Sequence, residues 1–335
     1  MRVLSVGVIG AGDIARKVHL PVLLNMPDVR VAWIFDSSVE RTRTVAKANG
    51  LRAVDPCSPM ELPPCDVALM AIPVGARRAY YDTFSARETA VLAEKPFAVS
   101  SAEHRAISER FEPYRIACGY MRRFYSSTRL LREFVRTRPF GRLVRMKISE
   151  GNRSTGSHVD RSYLDDSRQS ALGGILSELG CHSLDVALFI TGARAYEAQA
   201  CEFVFDGNVD RKISAMIRLA ESEYLPDSGL CLDYCVSWLD GQTNKMILEF
   251  ENCSVWTEIQ PGGEVRMGDP SRPSAATLLM PAAHAARTSN QAFFLQWRSF
   301  FQGLLTKTES EISARSALLS TALIEELYTI GRRHA

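Results

Sequence analysis

The sequence contains a glycine-rich turn whose spacing suits the binding of a dinucleotide. Gly10 and Gly12 lie in the segment Gly-Ala-Gly-Asp-Ile-Ala, between a short apolar run and an amphipathic segment. Such a turn lets the backbone approach a pyrophosphate at the N-terminus of a helix. The same turn can be purely structural, but its position directly after the first predicted strand favours nucleotide binding. We therefore expect the cofactor to contact Gly10, Gly12, Asp13 and Ile14.

An acidic residue follows the second apolar run, where a dinucleotide would place its adenosine ribose. Asp36 can accept hydrogen bonds from the ribose hydroxyl groups, and its charge repels a 2′-phosphate, which favours NAD over NADP. Arg41 and Arg43 lie a few residues later and could bind a 2′-phosphate instead. The sequence therefore predicts NAD as the cofactor and leaves NADP possible.

A lysine stands just past the fourth apolar run, in the segment Glu94-Lys95-Pro96. Open α/β sheets bind ligands beyond the carboxyl ends of their strands, so a lysine at this position is placed to contact cofactor or substrate. The alternative is a solvated Glu–Lys pair, which would contribute little to stability. We interpret Lys95 as a functional residue.

A third element is a helical segment that carries two carboxylates and a histidine. Glu178 and His182 are four residues apart and Asp185 follows three residues later, so all three share one face of a helix. A single histidine on such a helix is usually a core or surface residue. One flanked by carboxylates, after a double glycine, is better suited to proton transfer, since an imidazole titrates at about pH 6.5.

Short apolar runs and amphipathic segments alternate over the first third of the chain. This alternation is typical of βαβ units, and hence of a parallel sheet that is covered on both faces. The predicted strands comprise residues 4–9, 29–35, 67–72, 90–93 and 116–119. The predicted helices comprise residues 14–24, 39–49, 76–85 and 101–110.

After residue 119 the pattern changes to long strands joined by tight turns, which is typical of an antiparallel sheet. The predicted strands there comprise residues 141–150, 196–205, 212–219, 230–238, 245–251 and 254–259. Helices are predicted over residues 128–137, 174–191, 290–305 and 313–333, and residues 266–288 are predicted to be irregular.

The predicted fold class is therefore α/β with two domains. Residues 1–122 form a doubly wound Rossmann domain that binds the dinucleotide. Residues 123–335 form an α+β domain, with an open and mainly antiparallel sheet, for substrate binding and oligomerisation.

The composition excludes several classes of protein. The chain has 335 residues, of which 46% are hydrophobic and 23% charged, as in a soluble globular protein of two domains. Its 40 basic and 38 acidic residues nearly balance, so we expect no nucleic acid and no membrane as a partner. The eight cysteines form no CxxC pair and no zinc-like Cys/His cluster, which indicates free thiols in the cytoplasm and no metal site. No apolar run approaches the ~20 residues that span a bilayer.

Together these motifs resemble the glucose–fructose oxidoreductase/inositol dehydrogenase family (Gfo/Idh/MocA), nearly from end to end. Six segments are similar to the family's motifs, in order: 10–15, 94–96, 119–124, 139–144, 173–185 and 313–328. The chain departs from the family at three places. Glu178 stands where the family usually has aspartate, Arg77 replaces the histidine of its Pro-Asn…His motif, and Tyr163 replaces its usual tryptophan.

The resemblance implies an NAD(P)-dependent dehydrogenase or reductase that acts on CH–OH groups. It would move a hydride between the nicotinamide ring and a secondary alcohol or ketone of a sugar, nucleotide sugar or cyclitol. Lys95 would stabilise the developing alkoxide, and His182 would carry the proton of the same oxygen. Glu178 or Asp185 would orient the imidazole.

The resemblance also implies which residues surround the reacting atoms. Those added to the cofactor site are Ile72, Pro73, Glu94 and Lys95. Those expected to contact the substrate are Met121, Arg122, Tyr163, Glu178 and His182.

Two other functions stay open at this point. The family includes cofactor-binding regulators without turnover, and glycosidases that retain NAD for a transient oxidation. The presence of Lys95 and His182 argues against a regulator, while Glu178 in place of aspartate leaves that possibility open. The long strands outnumber the helices that could cover both faces of their sheet, which predicts a homodimer or homotetramer formed through the uncovered face.

Overall fold

The computed structural model describes residues 2–151, 174–280 and 286–333. The chain packs into two compact units. The first comprises Met1–Ala98, Ala102–Met121 and Phe293–Leu318, and the second comprises Val99–Ser101, Arg122–Ala292 and Leu319–Ala335. The first unit thus includes a C-terminal stretch that lies beyond the boundary expected at residue 122.

The first unit contains a five-stranded sheet in which every strand pair is parallel. The strand order is β2-β1-β3-β4-β5. The strands are β1 Leu4–Ile9, β2 Val29–Phe35, β3 Val67–Met70, β4 Ala90–Ala93 and β5 Ile116–Cys118. Every residue of the inner strands β3 and β4 and of the edge strand β5 is buried, as expected for a parallel sheet covered on both faces. The predicted Rossmann-like sheet is confirmed.

The helices of the N-terminal part begin and end near the predicted residues. They are α1 Leu20–Leu24, α2 Val39–Asn49, α3 Arg78–Ala86 and α4 Ser101–Ser108. A π-helical turn, Ala15–His19, precedes α1. The side chain of Ser38 caps the start of α2, and Gly50 ends that helix with a φ of +65°.

The second unit contains an eight-stranded sheet of order β13-β12-β11-β10-β6-β9-β8-β7. Only β6 and β9 pair in parallel among these strands; the other neighbours are antiparallel. The strands are β6 Leu143–Gly151, β7 Ala195–Asp206, β8 Val209–Ala220, β9 Leu230–Ser237, β10 Lys245–Phe250, β11 Ser254–Glu258, β12 Val265–Gly268 and β13 Thr277–Leu279. The last two correct the prediction that residues 266–288 are irregular.

The remaining helices are α5 Ser126–Thr137, α6 Cys181–Thr191, α7 Ser289–Thr306 and α8 Ala314–Arg333. A second π-helical turn, Leu176–Gly180, leads into α6. Single 3₁₀ turns lie at Pro59–Glu61, Val74–Ala76, Pro113–Arg115, Met121–Phe124 and Pro273–Ala275. Nowhere in the described ranges is a helix long and apolar enough to cross a membrane.

The two faces of the large sheet differ in burial. Alternate residues of β8, such as Ile213, Ile217 and Leu219, are fully buried on one face. Residues of the other face are partly exposed and form cross-strand ion pairs. These pairs are Arg145–Asp233, Lys147–Glu249 and Arg218–Glu197.

Candidate active site

The glycine turn after β1 has the two properties that a bound pyrophosphate requires. Gly10 has a φ of +96°, and a Cβ atom there would lie 2.2 Å from the carbonyl oxygen of Ala71, so only glycine fits. Beyond its sequence neighbours, no described atom lies within 4 Å of the place that a Cβ on Gly12 would occupy. A ligand can therefore approach the backbone at Gly12.

The next residue of the turn, Asp13, is largely exposed. Its carboxylate accepts hydrogen bonds from Lys17 and Arg16, which lower its pKa. Both partners lie on the π-helical turn that follows, so these pairs fix the side chain of Asp13 along the start of the helix. The nearby Ala15 is fully buried, as expected where strand and helix pack closely.

Asp36 follows β2, and its carboxylate ties the end of that strand to the glycine turn. One oxygen accepts a hydrogen bond from the backbone N–H of Ala11 at 2.8 Å, and the other accepts from that of Ser38 at 2.9 Å. The guanidinium of Arg41 lies 3.5 Å from both oxygens. The positive charge of Arg41 therefore lies close to the carboxylate of Asp36, which is predicted to select NAD over NADP.

Arg77 holds two loops at the carboxyl ends of β3 and β4, a role that sequence reasoning did not identify. Its side chain is buried and donates to the backbone carbonyl oxygens of Ile72, Glu94 and Pro96. The distance to the oxygen of Pro96 is 2.6 Å. Arg77 stands where the Gfo/Idh/MocA motif has a histidine. The structure shows that this arginine supports the loop of Lys95, which lies in the same unit.

Glu94 is buried beside Lys95, and both of its carboxylate oxygens are engaged. Oε1 lies 2.9 Å from Nε2 of His19, and Oε2 accepts the backbone N–H of Lys95 at 3.2 Å. Burial raises the pKa of Glu94, but the hydrogen bond from His19 and the positive charges of Lys95 and Arg77 outweigh it, so the pKa is lowered. Glu94 is therefore ionised.

The partner of Glu94 is a histidine that sequence reasoning missed. His19 is fully buried, and its Nδ1 atom lies 3.0 Å from Nε1 of Trp297. The ring packs edge-on against Phe293 and Trp297. The two sequence positions that meet here are 278 residues apart, so no local pattern could predict the contact.

In the second unit, Asp210 holds the start of the segment that carries the predicted proton-transfer residues. One carboxylate oxygen accepts the backbone N–H of Leu176 at 2.8 Å, and the other accepts the hydroxyl of Tyr328 at 2.9 Å. A Cβ on Gly174 would lie 1.7 Å from this carboxylate. The second glycine of the predicted double-glycine motif therefore leaves room for Asp210.

Glu178 and His182 lie on one continuous helical element of the second unit. Glu178 is half-buried in the π-helical turn, and His182 is 7% exposed in the first turn of α6. The hydroxyl of Tyr234 donates to the carbonyl oxygen of Gly180 at 3.0 Å and lies 3.2 Å from Oγ of Ser183. The turn is thereby fixed on both sides of His182.

Asp185 was one of two carboxylates expected to orient His182. It instead forms a two-pronged ion pair with Arg123, at 2.7 and 2.5 Å, and accepts the hydroxyl of Ser320 at 2.9 Å. Because these partners hold both of its oxygens, Glu178 is the better candidate for orienting the imidazole.

Arg122, expected to contact the substrate, forms a buried ion pair with Glu150 at 2.7 Å. Burial raises the pKa of Glu150, against the opposing effect of Arg122. Met121 is half-buried in the 3₁₀ turn that begins at that residue. Tyr163, the remaining predicted substrate residue, lies outside the described residues, as does Gly173. No cluster of metal-binding side chains is found in the parts of the chain that the structure describes.

The parallel sheet, with its glycine turn after β1 and an acidic residue after β2, defines a dinucleotide-binding Rossmann domain. Residues 4–116 match the family model of the Gfo/Idh/MocA oxidoreductases, described as the oxidoreductase family with an NAD-binding Rossmann fold. This part of the chain therefore matches the NAD-binding domain of that family, in agreement with the predicted family and the predicted nicotinamide cofactor.

Relatives with longer matches exist in sequence and in structure. The D-glucoside 3-dehydrogenase of Escherichia coli (strain K12) is 27% identical over 201 residues, which cover 58% of this chain and 56% of that protein, about half its length. The aldose-aldose oxidoreductase from Caulobacter crescentus, solved with glycerol, has a TM-score of 0.82 at 18% identity and covers 100% and 99% of the two chains. KijD10, a 3-ketoreductase from Actinomadura kijaniata solved with NADP and TDP-benzene, has a TM-score of 0.80 at 18% identity over 98% of each chain. At these identities the structural likeness shows the fold.

Proposed function

We propose that the protein is an NAD(P)-dependent oxidoreductase acting on a secondary alcohol or ketone of a sugar, nucleotide sugar or cyclitol. The observation that carries the proposal is the common edge of the parallel sheet. Gly10, Asp36, Ile72 and Lys95 follow four strands that are adjacent in the order β2-β1-β3-β4. The carboxyl edge of an open α/β sheet is where such folds bind nucleotides.

The residues of the first unit fit a nicotinamide dinucleotide. The open space at Gly12 admits a pyrophosphate, and the carboxylate of Asp36 can accept the hydroxyl groups of the adenosine ribose. Ile72 and Pro73, at the end of β3, and Glu94 and Lys95, after β4, would extend the site towards the nicotinamide. When bound, the nicotinamide ring accepts or returns the hydride. Because Arg41 lies beside Asp36, NADP stays a possible second cofactor.

The proposed roles of the polar residues follow from their charges. The ammonium group of Lys95 would hydrogen-bond to the reacting oxygen and stabilise the negative charge that develops there, as the proton is removed in oxidation or as the hydride arrives in reduction. His182 would take the hydroxyl proton in oxidation and return it in reduction, with Glu178 orienting the ring. The substrate would also contact Met121 and Arg122. The names of the D-glucoside 3-dehydrogenase and the aldose-aldose oxidoreductase support a sugar substrate.

We also propose that the protein is cytoplasmic and forms a homodimer or homotetramer through the partly exposed face of the large sheet. The eight cysteines all lie in the described ranges and form no disulfide bond there, which suits a reducing compartment. Strands β8 and β9 leave alternate side chains on this face partly exposed, among them Met216 and Cys235. Light scattering of the purified protein tests the assembly: a mass of 37.2 kDa at micromolar concentration would contradict it.

The experiment that tests the activity is a spectrophotometric screen of NAD(H) and NADP(H) against cyclitols, hexoses, keto-sugars and nucleotide sugars. Oxidation or reduction of the cofactor with one of these substrates is the expected result. Cofactor binding without turnover across the whole panel would favour a regulator. Cofactor that copurifies and cannot be exchanged would favour a glycosidase.

A further inference from the structure

We propose that Trp297 and His19 are positioning residues for Lys95. The indole of Trp297 holds His19 in one tautomer, and His19 then donates a hydrogen bond that keeps Glu94 ionised beside the backbone N–H of Lys95. This inference rests on the proposed function of Lys95. All four residues belong to the first unit. The structure connects them as a chain of hydrogen bonds that runs from the indole of Trp297 to the backbone N–H of Lys95.

The tautomer follows from the chemistry of the indole. The Nε1–H group of a tryptophan can only donate a hydrogen bond. Nδ1 of His19, 3.0 Å away, must therefore be the acceptor and carries no proton. The ring proton is then on Nε2, which donates to Oε1 of Glu94 at 2.9 Å. A proton on Nδ1 would remove the acceptor of the indole hydrogen bond, so the contact with Trp297 favours this one tautomer.

With Nε2–H of His19 as a donor on one side, Glu94 is required as an acceptor and so keeps its negative charge. Its second oxygen accepts the backbone N–H of Lys95, and the positive charges of Lys95 and Arg77 stabilise the carboxylate. The carboxylate is also confined, because a Cβ on Gly119 would lie 2.8 Å from its Oε1. Glu94 thus contributes a fixed anion that binds the backbone of Lys95 and interacts electrostatically with the ammonium proposed to act in the reaction.

The proposed tautomer of His19 makes a prediction about a double variant that an ordinary buried polar cluster does not make. In Glu94→Gln the side-chain amide presents one oxygen and one NH₂ group to two donors, Nε2–H of His19 and the N–H of Lys95. Whichever way the amide turns, one donor faces another donor. In the double variant Glu94→Gln, Trp297→Phe, His19 is free to move its proton to Nδ1 and accept from the amide. Both contacts of residue 94 can then be satisfied.

The experiment compares wild type, the two single variants and the double variant. The readouts are kcat with the substrate found in the screen and the affinity for NADH. We expect Glu94→Gln to lower kcat by about tenfold, and Trp297→Phe to reduce this defect by at least roughly threefold, as expected for coupled neighbours. Trp33→Phe is the matched control, since the buried indole N–H of Trp33 has no hydrogen-bond partner in the described residues. This control should not reduce the defect.

A second measurement does not depend on turnover. Nitrogen NMR of the protein labelled at histidine should show His19 with an unprotonated Nδ1 and a protonated Nε2, and Trp297→Phe should shift this signal towards a mixture of tautomers. The proposal would be overturned if the kcat losses of the two single variants were additive or larger in the double variant. It would also be overturned if the wild type carried the His19 proton on Nδ1. A correct NMR signal without any turnover would count against the proposed function and leave the tautomer lock standing.

Discussion

The two proposed chemical groups are held by different means in the two units. In the first unit, Lys95 lies in a loop whose backbone is fixed by buried side chains. Arg77 donates to the carbonyl groups of Glu94 and Pro96, and the carboxylate of Glu94 accepts the N–H of Lys95. In the second unit, His182 lies on a helix whose start is anchored by Asp210. The loop depends on these side-chain contacts, whereas the helix adds its own backbone hydrogen bonds to the contacts of Asp210 and Tyr234.

This difference explains which residues could be found from the sequence. The chemical groups themselves follow recognisable strands or turns, and the helix Val39–Asn49 was predicted with its observed bounds. Their supports are distant in sequence: His19 meets Trp297 and Leu176 meets Asp210, and neither contact has a local signature. Such contacts arise only when the core packs.

The strands that the prediction missed have a simpler cause. β12 and β13 contain only four and three residues, too few to show a period of two. The stretch between them holds two prolines, Pro270 and Pro273, which are typical of loops. The two π-helical turns were predicted as ordinary helix, because a wider turn leaves the apolar pattern nearly unchanged.

The largest effect is expected from the loop of the first unit. Lys95→Ala should lower kcat by about a thousandfold, because it removes the donor that stabilises the developing alkoxide. The affinity for NADH, measured by fluorescence titration, should change little, since the pyrophosphate is bound at the glycine turn. A variant that retains wild-type turnover would contradict the role of Lys95.

In the second unit, the helical residue His182 is the proposed proton carrier. His182→Ala should lower kcat by roughly a hundredfold, the usual contribution of a positioned general acid or base. The limb of the pH–rate profile that depends on this imidazole should also flatten, which a merely structural defect would not cause. An unchanged profile shape, with lower rates at every pH, would assign His182 a structural role.

The contact of Asp210 with the start of that helical element can be tested separately. Asp210→Ala removes the carboxylate and leaves the buried N–H of Leu176 without this acceptor, at a cost of about 1–3 kcal/mol of folding free energy. We expect kcat to fall by roughly tenfold while NADH affinity stays unchanged. Tyr328→Phe is the matched control, since it removes the hydroxyl that contacts Asp210 and Ser177 but leaves the contact of Asp210 to Leu176. Equal losses in both variants would show that the anchor of the helix start is not what matters.

The smallest effect concerns the choice of cofactor and involves the first unit alone. The carboxylate of Asp36 is tied to the glycine turn through Ala11 and stands 3.5 Å from Arg41. We expect NADH to bind more tightly than NADPH. Asp36→Ser removes the charge that repels a 2′-phosphate and releases Arg41 to bind it, so the preference should shrink by about tenfold or reverse. Titration of both cofactors against both proteins measures this change. If the wild type already bound NADPH tenfold more tightly, Arg41 would be the phosphate ligand and Asp36 would serve mainly to hold the glycine turn.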